Sequence, residues 1–444
     1  MSSTTRQMHL GVFVLGTGNH SAGWRYEGAA TSHMQLPVMQ EIARIAERGK
    51  FDLLFISDSM VMDPTDHPSF LCRFEPTTLI TALSACTTHI GLGATVSTSF
   101  AEPFNVARLF GSIDHLSGGR AAWNVVTTSN TKVAQNFGRD EHIEHELRYA
   151  RAQEFVDVVK SLWDCWEDGA IVADKASGQY IDAGKVRPLN HKGRFFQVRG
   201  PLNQARPPQG HPVIIQAGGS PSGLELAART ADVVFSVVQE LEPAKAAYAD
   251  LKGRMARYGR APEEIAVLPG VMPIIGASDA EAREKLAKLQ SWITPTNAAT
   301  LVASRIGYDV SGHDLDGPVP PPPESDGGRT FHRVLYETAR RENMTLRELY
   351  NLTAAARGHW VVCGTPQKIA DTLEEWFAGG AADGFNILPP YFPGGFADFV
   401  DLVVPELQRR GLFRRDYQGT TLREHFGLAP APAAGAARQA MAGE

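Results

Sequence analysis

Runs of consecutive apolar residues recur along this chain, at Leu10–Leu15, Phe51–Ser57, Ile90–Thr98, Arg120–Thr127, Val213–Ala217, Val233–Val238, Ala266–Ile275 and Gly384–Leu388. Between them the pattern changes period. In Leu36–Arg48 the apolar positions Val38, Ile42, Ile45 and Ala46 share one helical face, and Glu146–Trp166 carries a long apolar stripe. Strands that do not alternate are buried on both faces, and such strands interleaved with amphipathic helices imply a parallel sheet. Eight such units predict an α/β chain folded as a (β/α)8 TIM barrel rather than an open doubly wound sheet. Trp360–Cys363 competes with Gly384–Leu388 for the eighth strand.

Two stretches break the rhythm. Asp168–Pro212 has Gly/Pro punctuation and the short aromatic segment Gly193–Val198, which predicts a long insertion with a small hairpin. Ser291–Gly328 ends in SGHDLDGPVPPPPESDGG, too long for a barrel connection, and reads as an active-site cover or a disordered loop. The chain is therefore expected to form one barrel domain over residues 1–428 with insertions at about 168–212 and 291–328. The Ala/Pro/Gly-rich residues 429–444 are expected to be a disordered tail.

Composition narrows the class. A length of 444 residues, with 43% hydrophobic and 21% charged residues, fits a globular protein with an ample core. A net charge of −6 without a Lys/Arg cluster argues against nucleic-acid binding. The four cysteines lie far apart with no CxxC, so neither a zinc site nor a disulfide framework is indicated, and no HExxH is present. The start MSSTTRQM lacks signal-peptide character, and no apolar run reaches membrane-spanning length. The expected location is the cytoplasm, and no metal is expected.

Candidate chemistry collects where the strands stop, which is where a barrel keeps its active site. The first strand runs into GTGNHSAGWR with His20, Trp24 and Arg25; the second ends at Asp58; the fourth carries Asn124. Taken one at a time, such polar residues equally suit loop capping. The fifth strand runs into Gly218-Gly219-Ser220 at a helix start. There backbone freedom, a positive dipole end and a hydroxyl make a socket for phosphate. His145 and Tyr149, one helical turn apart, lie on one face and suit a ribityl chain or a phosphate, although a solvated helix start explains them as well. Gly16-Thr17-Gly18 does not continue as GxGxxG, and no GxxxxGK[ST] accompanies the socket, so dinucleotide and ATP-type sites are not indicated.

The segments SAGWR, FDLLFISDS, EPTTLITALSACTTHIGLGATVSTSFAEPFNVAR, DHLSGGRAAWNVVTT, NFG and VIIQAGGSPSGLELAARTADVVFS resemble the bacterial luciferase-like flavin monooxygenases. The nearest branch includes nitrilotriacetate monooxygenase, pristinamycin synthase and dibenzothiophene-sulfone monooxygenase, and the likeness spans about residues 8 to 410. The resemblance implies reduced FMN (FMNH2) delivered by a separate NAD(P)H:flavin reductase, O2 as co-substrate, and a homodimer or homotetramer. It implies insertion of one oxygen atom into a small organic compound, aromatic, heterocyclic or sulfur/nitrogen-containing.

Carried over by position, the resemblance assigns Asp58, Thr95 (with Ser97 and Ser99 as neighbours), Asn124, His145, Tyr149, Gly218, Gly219 and Ser220 to the cofactor. His20 and, in the long insertion, His313 are the catalytic candidates, with Phe13, Trp24 and Phe55 lining the substrate pocket. A deazaflavin-dependent oxidoreductase on the same barrel and a flavin-binding protein without turnover are the alternatives. The resemblance does not name the substrate.

Overall fold

The computed structural model describes residues 6–434 except 33, 63, 65–67, 129, 295–297, 300, 301, 304, 305, 307, 311, 322–329 and 433. Its strands are β1 (His9–Val14), β2 (Leu53–Ile56), β3 (Gly91–Ser97), β4 (Ala121–Val126), β5 (Ile171–Asp174), β6 (Gln179–Ile181), β7 (His191–Lys192), β8 (Gln197–Val198), β9 (Val213–Gln216), β10 (Val233–Ser236), β11 (Ala266–Ile275), β12 (Trp360–Gly364) and β13 (Gly384–Ile387). One nine-stranded sheet has the order β10-β9-β4-β3-β2-β1-β13-β11-β12, and a further β10–β11 pairing closes it as a barrel. Each of the eight expected strands is present. Trp360–Gly364 does not displace the eighth. The ten-residue β11 pairs with β13 at Gly270–Val271 and with β12 over Val271–Ile275, so both segments find a partner.

The chain divides into two compact units. The first comprises Met1–Phe74, Phe235–Asp250 and Val267–Arg415. In it, β1 lies parallel between β2 and β13, with Phe13 opposite Phe55 and Gly11 opposite Asn386. The helix Leu36–Arg48 starts with Pro37 in its first turn and buries Met39, Ile42, Ala43, Ile45 and Ala46, close to the face read from the sequence. Residues of the 291–328 stretch have a core of their own. Ala298, Val302, Ile306 and Val310 are buried with Leu335, Ala339, Leu346, Leu349 and Tyr350, and Leu315 and Val319 pack against them. Arg347 pairs with Asp316 at 2.6 Å, tying this segment to the helix Leu346–Ala356. Residues 322–329 of the expected cover lie outside the described residues.

The second unit comprises Glu75–Val234, Leu251–Ala266 and Asp416–Glu444. Here β3, β4 and β9 run parallel, and the helix His145–Trp163 buries Phe155, Val156, Val159, Leu162 and Trp163. The Asp168–Pro212 insertion forms two hairpins rather than one, β5–β6 and β7–β8. Glu154 holds the second hairpin: it takes His191 Nε2 at 3.0 Å and the backbone N–H groups of Phe195 and Phe196. Of the expected tail, the Ala429 and Pro432 carbonyls accept from Arg423 and Arg206, and 435–444 lie outside the described residues. Among the described residues no helix is long and apolar enough to cross a membrane.

One buried charge pins the start of the first unit's strands. Asp52, fully buried, accepts from the Leu10 N–H at 2.8 Å, from His9 Nδ1 at 3.1 Å and from the Arg414 guanidinium. Burial pushes its carboxyl up, but Arg414, His9 and these hydrogen bonds outweigh that and hold it below the ordinary range. This contribution to stability is complete above the pH at which a free aspartate ionises. It disappears as pH falls through the lower, folded value. Arg414→Met leaves the charge buried without its cation and is expected to cost about 3–5 kcal/mol in urea unfolding at neutral pH, with a smaller loss in strong acid.

Candidate active site

The second unit brings five of the expected residues into two groups. Thr95 on β3 and Asn124 on β4 are direct register partners, both buried in the sheet. Asn124 Nδ2 donates to Thr95 Oγ1 at 2.9 Å. Asn124 Oδ1 is buried and has no hydrogen-bond partner among the described residues. A buried acceptor without a donor costs about 1–3 kcal/mol, so its persistence points to a ligand. The neighbouring hydroxyls are otherwise engaged: Ser97 bonds Thr128 at 2.6 Å, and Ser99 donates to the Thr127 carbonyl at 2.7 Å. The position chosen from sequence, Thr95, is the one that shares a bond with Asn124.

The other group sits at a helix N-terminus. Ser220 caps the helix Pro221–Thr230, its Oγ accepting from the Gly223 N–H at 3.1 Å, and it donates to the Tyr149 hydroxyl at 3.3 Å. The Tyr149 ring packs on His145, centroids 4.9 Å apart. One carboxylate stands among them: Glu146 accepts from Ser222 Oγ at 3.1 Å and faces His145 Nδ1 at 3.0 Å. Hydroxyl, phenol, imidazole and dipole end therefore meet as the i, i+4 spacing and the GGS motif imply.

The glycines act differently from expectation. Neither Gly218 nor Gly219 has a positive φ, so the turn does not use their conformational freedom. Gly218 is small because it must be, since a Cβ there would lie 2.8 Å from Gln216 Nε2 and 3.0 Å from the Gly223 Cα. At Gly219 a Cβ would meet nothing within 4 Å. Gln216, which the sequence reading passed over, shapes this turn: its Oε1 accepts from the Gly218 N–H at 2.6 Å. A polar residue closing an otherwise apolar strand was the available signal.

The first unit holds the remaining candidates. His20 is fully buried, and its Nδ1 accepts from the Ala22 N–H at 3.1 Å, so Nε2 carries the ring proton. That Nε2 has no partner among the described residues. Burial pushes the His20 pKa down to about 3, so the ring is a neutral donor at any physiological pH. Phe13 and Phe55 are buried with centroids 5.1 Å apart, and Phe235 extends the row at 4.7 Å from Phe55. Trp24 is 41% exposed on the turn Gly23–Arg25, away from such burial, and Arg25 donates to the Trp292 carbonyl at 2.8 Å. Asp58 is half-buried beyond β2 and accepts from the Ser59 N–H at 2.8 Å. His313 is exposed in a turn, its N–H donating to the Val310 carbonyl at 3.3 Å, quite unlike His20.

The family model for luciferase-like monooxygenases matches residues 8–383. The chain belongs to this family. N-acetyl-S-(2-succino)cysteine monooxygenase of Bacillus subtilis (strain 168) is 49% identical over 432 residues, covering 96% of this chain and 98% of the relative. Nitrilotriacetate monooxygenase component A of Aminobacter aminovorans is 48% identical over 439 residues, covering 96% and 97%. The crystal structure of riboflavin lyase with modified FMN and riboflavin superposes with a TM-score of 0.84 at 29% identity, covering 96% of each chain. For a luciferase-like monooxygenase, then, these two units contain a hydroxyl-rich helix start, an orphaned acceptor and a buried neutral imidazole.

The His20 burial has a measurable signature. Its folded pKa lies below the ordinary 6.5, so the unfolded chain takes up a proton that the folded one refuses, and stability falls as pH drops from about 6.5 towards 3. In urea titrations across that window, His20→Gln is expected to make the fall shallower by about 1.4 kcal/mol per pH unit. Parallel slopes in wild type and variant would contradict the buried neutral ring.

Proposed function

We propose that this luciferase-like monooxygenase uses reduced FMN, supplied by a separate NAD(P)H:flavin reductase, to insert one atom of O2 into a small organic molecule. The observation that carries the reading is the orphaned Asn124 Oδ1, buried beside Thr95 and without a donor among the described residues. A flavin pyrimidine edge presents an N–H that such an acceptor satisfies. At the other end, the Ser220 and Tyr149 hydroxyls, His145 and the helix dipole offer donors and positive potential for a terminal phosphate. Gly218 and Gly219 keep that turn low, and Asp58 is assigned to the same cofactor by its family position alone.

When bound, reduced FMN supplies the two electrons with which O2 is split, one oxygen atom going to the substrate and the other to water. The chain's own residues do the rest. Asn124 and Thr95 orient the ring by fixed hydrogen bonds. Ser220, Tyr149 and His145 anchor the far end. Phe13 and Phe55 supply apolar surface that excludes water where the substrate is to lie. His20 is proposed as the catalytic residue, a neutral ring that holds one proton at Nε2 and can donate that hydrogen bond to the reacting oxygen, burial keeping it from taking up a second proton.

The relatives named above act on an S-succinylated cysteine and on nitrilotriacetate, so sulfur- and nitrogen-bearing small molecules are the first class to test. The enzyme supplied with a flavin reductase, NADH and 18O2 is expected to add one labelled oxygen to a member of such a panel, read by mass spectrometry. Oxygen uptake that no substrate stimulates would sink the oxygenase reading. Ser220→Ala and Tyr149→Phe are each expected to weaken FMN binding about tenfold, close to 1.4 kcal/mol, in a fluorescence titration. His20→Ala is expected to bind FMN normally while product formed per FMNH2 collapses.

A further inference from the structure

On one face of β3 and β4 a second hydrogen-bonded pair stands beyond the first. In the register of these strands Thr95 faces Asn124 and Ser97 faces Val126. Side chains two residues apart on a strand share a face, and the step between them is about 6.6 Å. Ser97 therefore lies on the face of Thr95, one step nearer the C-terminal strand ends. Its Oγ meets Thr128 Oγ1, two residues past Val126, at 2.6 Å. A polar strip thus runs from the orphaned Asn124 Oδ1 outward to Thr128.

The second pair keeps one hydrogen unclaimed among the described residues. Two hydroxyls carry two hydrogens, and the bond between them consumes one. Ser97 is buried, and its Oγ already accepts from the Ser99 N–H at 3.2 Å, whereas Thr128 is half-buried. With Ser97 donating to Thr128, the spare hydrogen sits on the more open hydroxyl of the two.

The backbone at Thr128 is an independent observation. Its φ is 47°, in the left-handed region, where a β-branched residue is rare and strained. Its carbonyl is clamped there, accepting from His142 Nε2 at 2.7 Å and from the Arg148 guanidinium. His142 Nδ1 takes the Ile143 N–H at 2.8 Å, which fixes the ring proton on Nε2. Glycine adopts this conformation without strain, and the strain costs about as much as one neutral hydroxyl bond returns. Stability alone thus gives no reason to keep a threonine, and strain retained at a strand end points to function.

We propose that Thr128 is a further cofactor-binding residue, its hydroxyl donating to a ring carbonyl oxygen of the flavin whose N–H meets Asn124 Oδ1. This rests on the flavin reading of the site and adds a donor to its acceptor. The pyrimidine edge of a flavin presents an N–H flanked by carbonyl oxygens, so an acceptor and a donor on one strip complement it. Ser97 is a positioning residue, acting through the Thr128 hydroxyl that it turns outward.

The test reads the ring carbonyls directly. Oxidised FMN with isotope-labelled carbonyl carbons is titrated into the full-length protein, and its carbonyl stretches are recorded by infrared difference spectroscopy. A donated hydrogen bond lowers a carbonyl stretch. In Thr128→Val one stretch is expected to rise relative to wild type, with FMN binding weakened about threefold to tenfold. Thr128→Gly removes the same hydroxyl and suits the left-handed backbone, and it is expected to show the same rise. Ser97→Ala keeps the Thr128 hydrogen and is expected to leave that stretch low. A rise there as large as in the Thr128 variants would move the donor to Ser97 and overturn the assignment. Stretches unchanged in both Thr128 variants would overturn the contact while leaving the flavin reading intact. A wild type that binds no FMN would overturn both.

Discussion

Parallel strands covered on both faces leave a chain little room for polar side chains, and every site in this protein is shaped by that constraint. Between strand ends, polar side chains survive only when their partners come with them. Asn124 and Thr95 obey the rule with one bond and break it with one atom. His20 obeys it by giving up its charge. Asp52 keeps its charge because an arginine, a histidine and a backbone N–H close around it. Structure and chemistry here draw on the same device, a buried polar group with a prescribed set of partners, and differ in whether the protein completes the set.

This explains which parts of the molecule were legible in the sequence. Strands such as Ala266–Ile275 are apolar at every position because both faces are covered, so their limits can be read from composition alone. His145, Tyr149 and Ser220 were legible because a helical turn and a strand–turn–helix junction have fixed geometry. The role of the glycines was misjudged for want of a third residue. Gly218 is held small by Gly223, part-way into the next helix, and no local rule links those two positions.

The internal packing of the long insertion was hidden for a different reason. Its Pro/Gly-rich end dominates the composition, while Ala298, Val302, Ile306 and Val310 recur at a helical spacing and are buried with residues beyond Thr330.

The hydroxyl of Ser220 has one hydrogen to give and two lone pairs. One lone pair is committed to Gly223 and the hydrogen to Tyr149. An arriving oxyanion can only accept, so it must take the hydrogen that Ser220 at present gives to Tyr149, or the phenol's own. Nothing heavier than hydrogen has to turn for that exchange: Ser220 redirects its proton, and Tyr149 does the same with its own. The cradle can therefore pass between holding itself and holding a guest without moving its backbone, and the helix stays capped throughout.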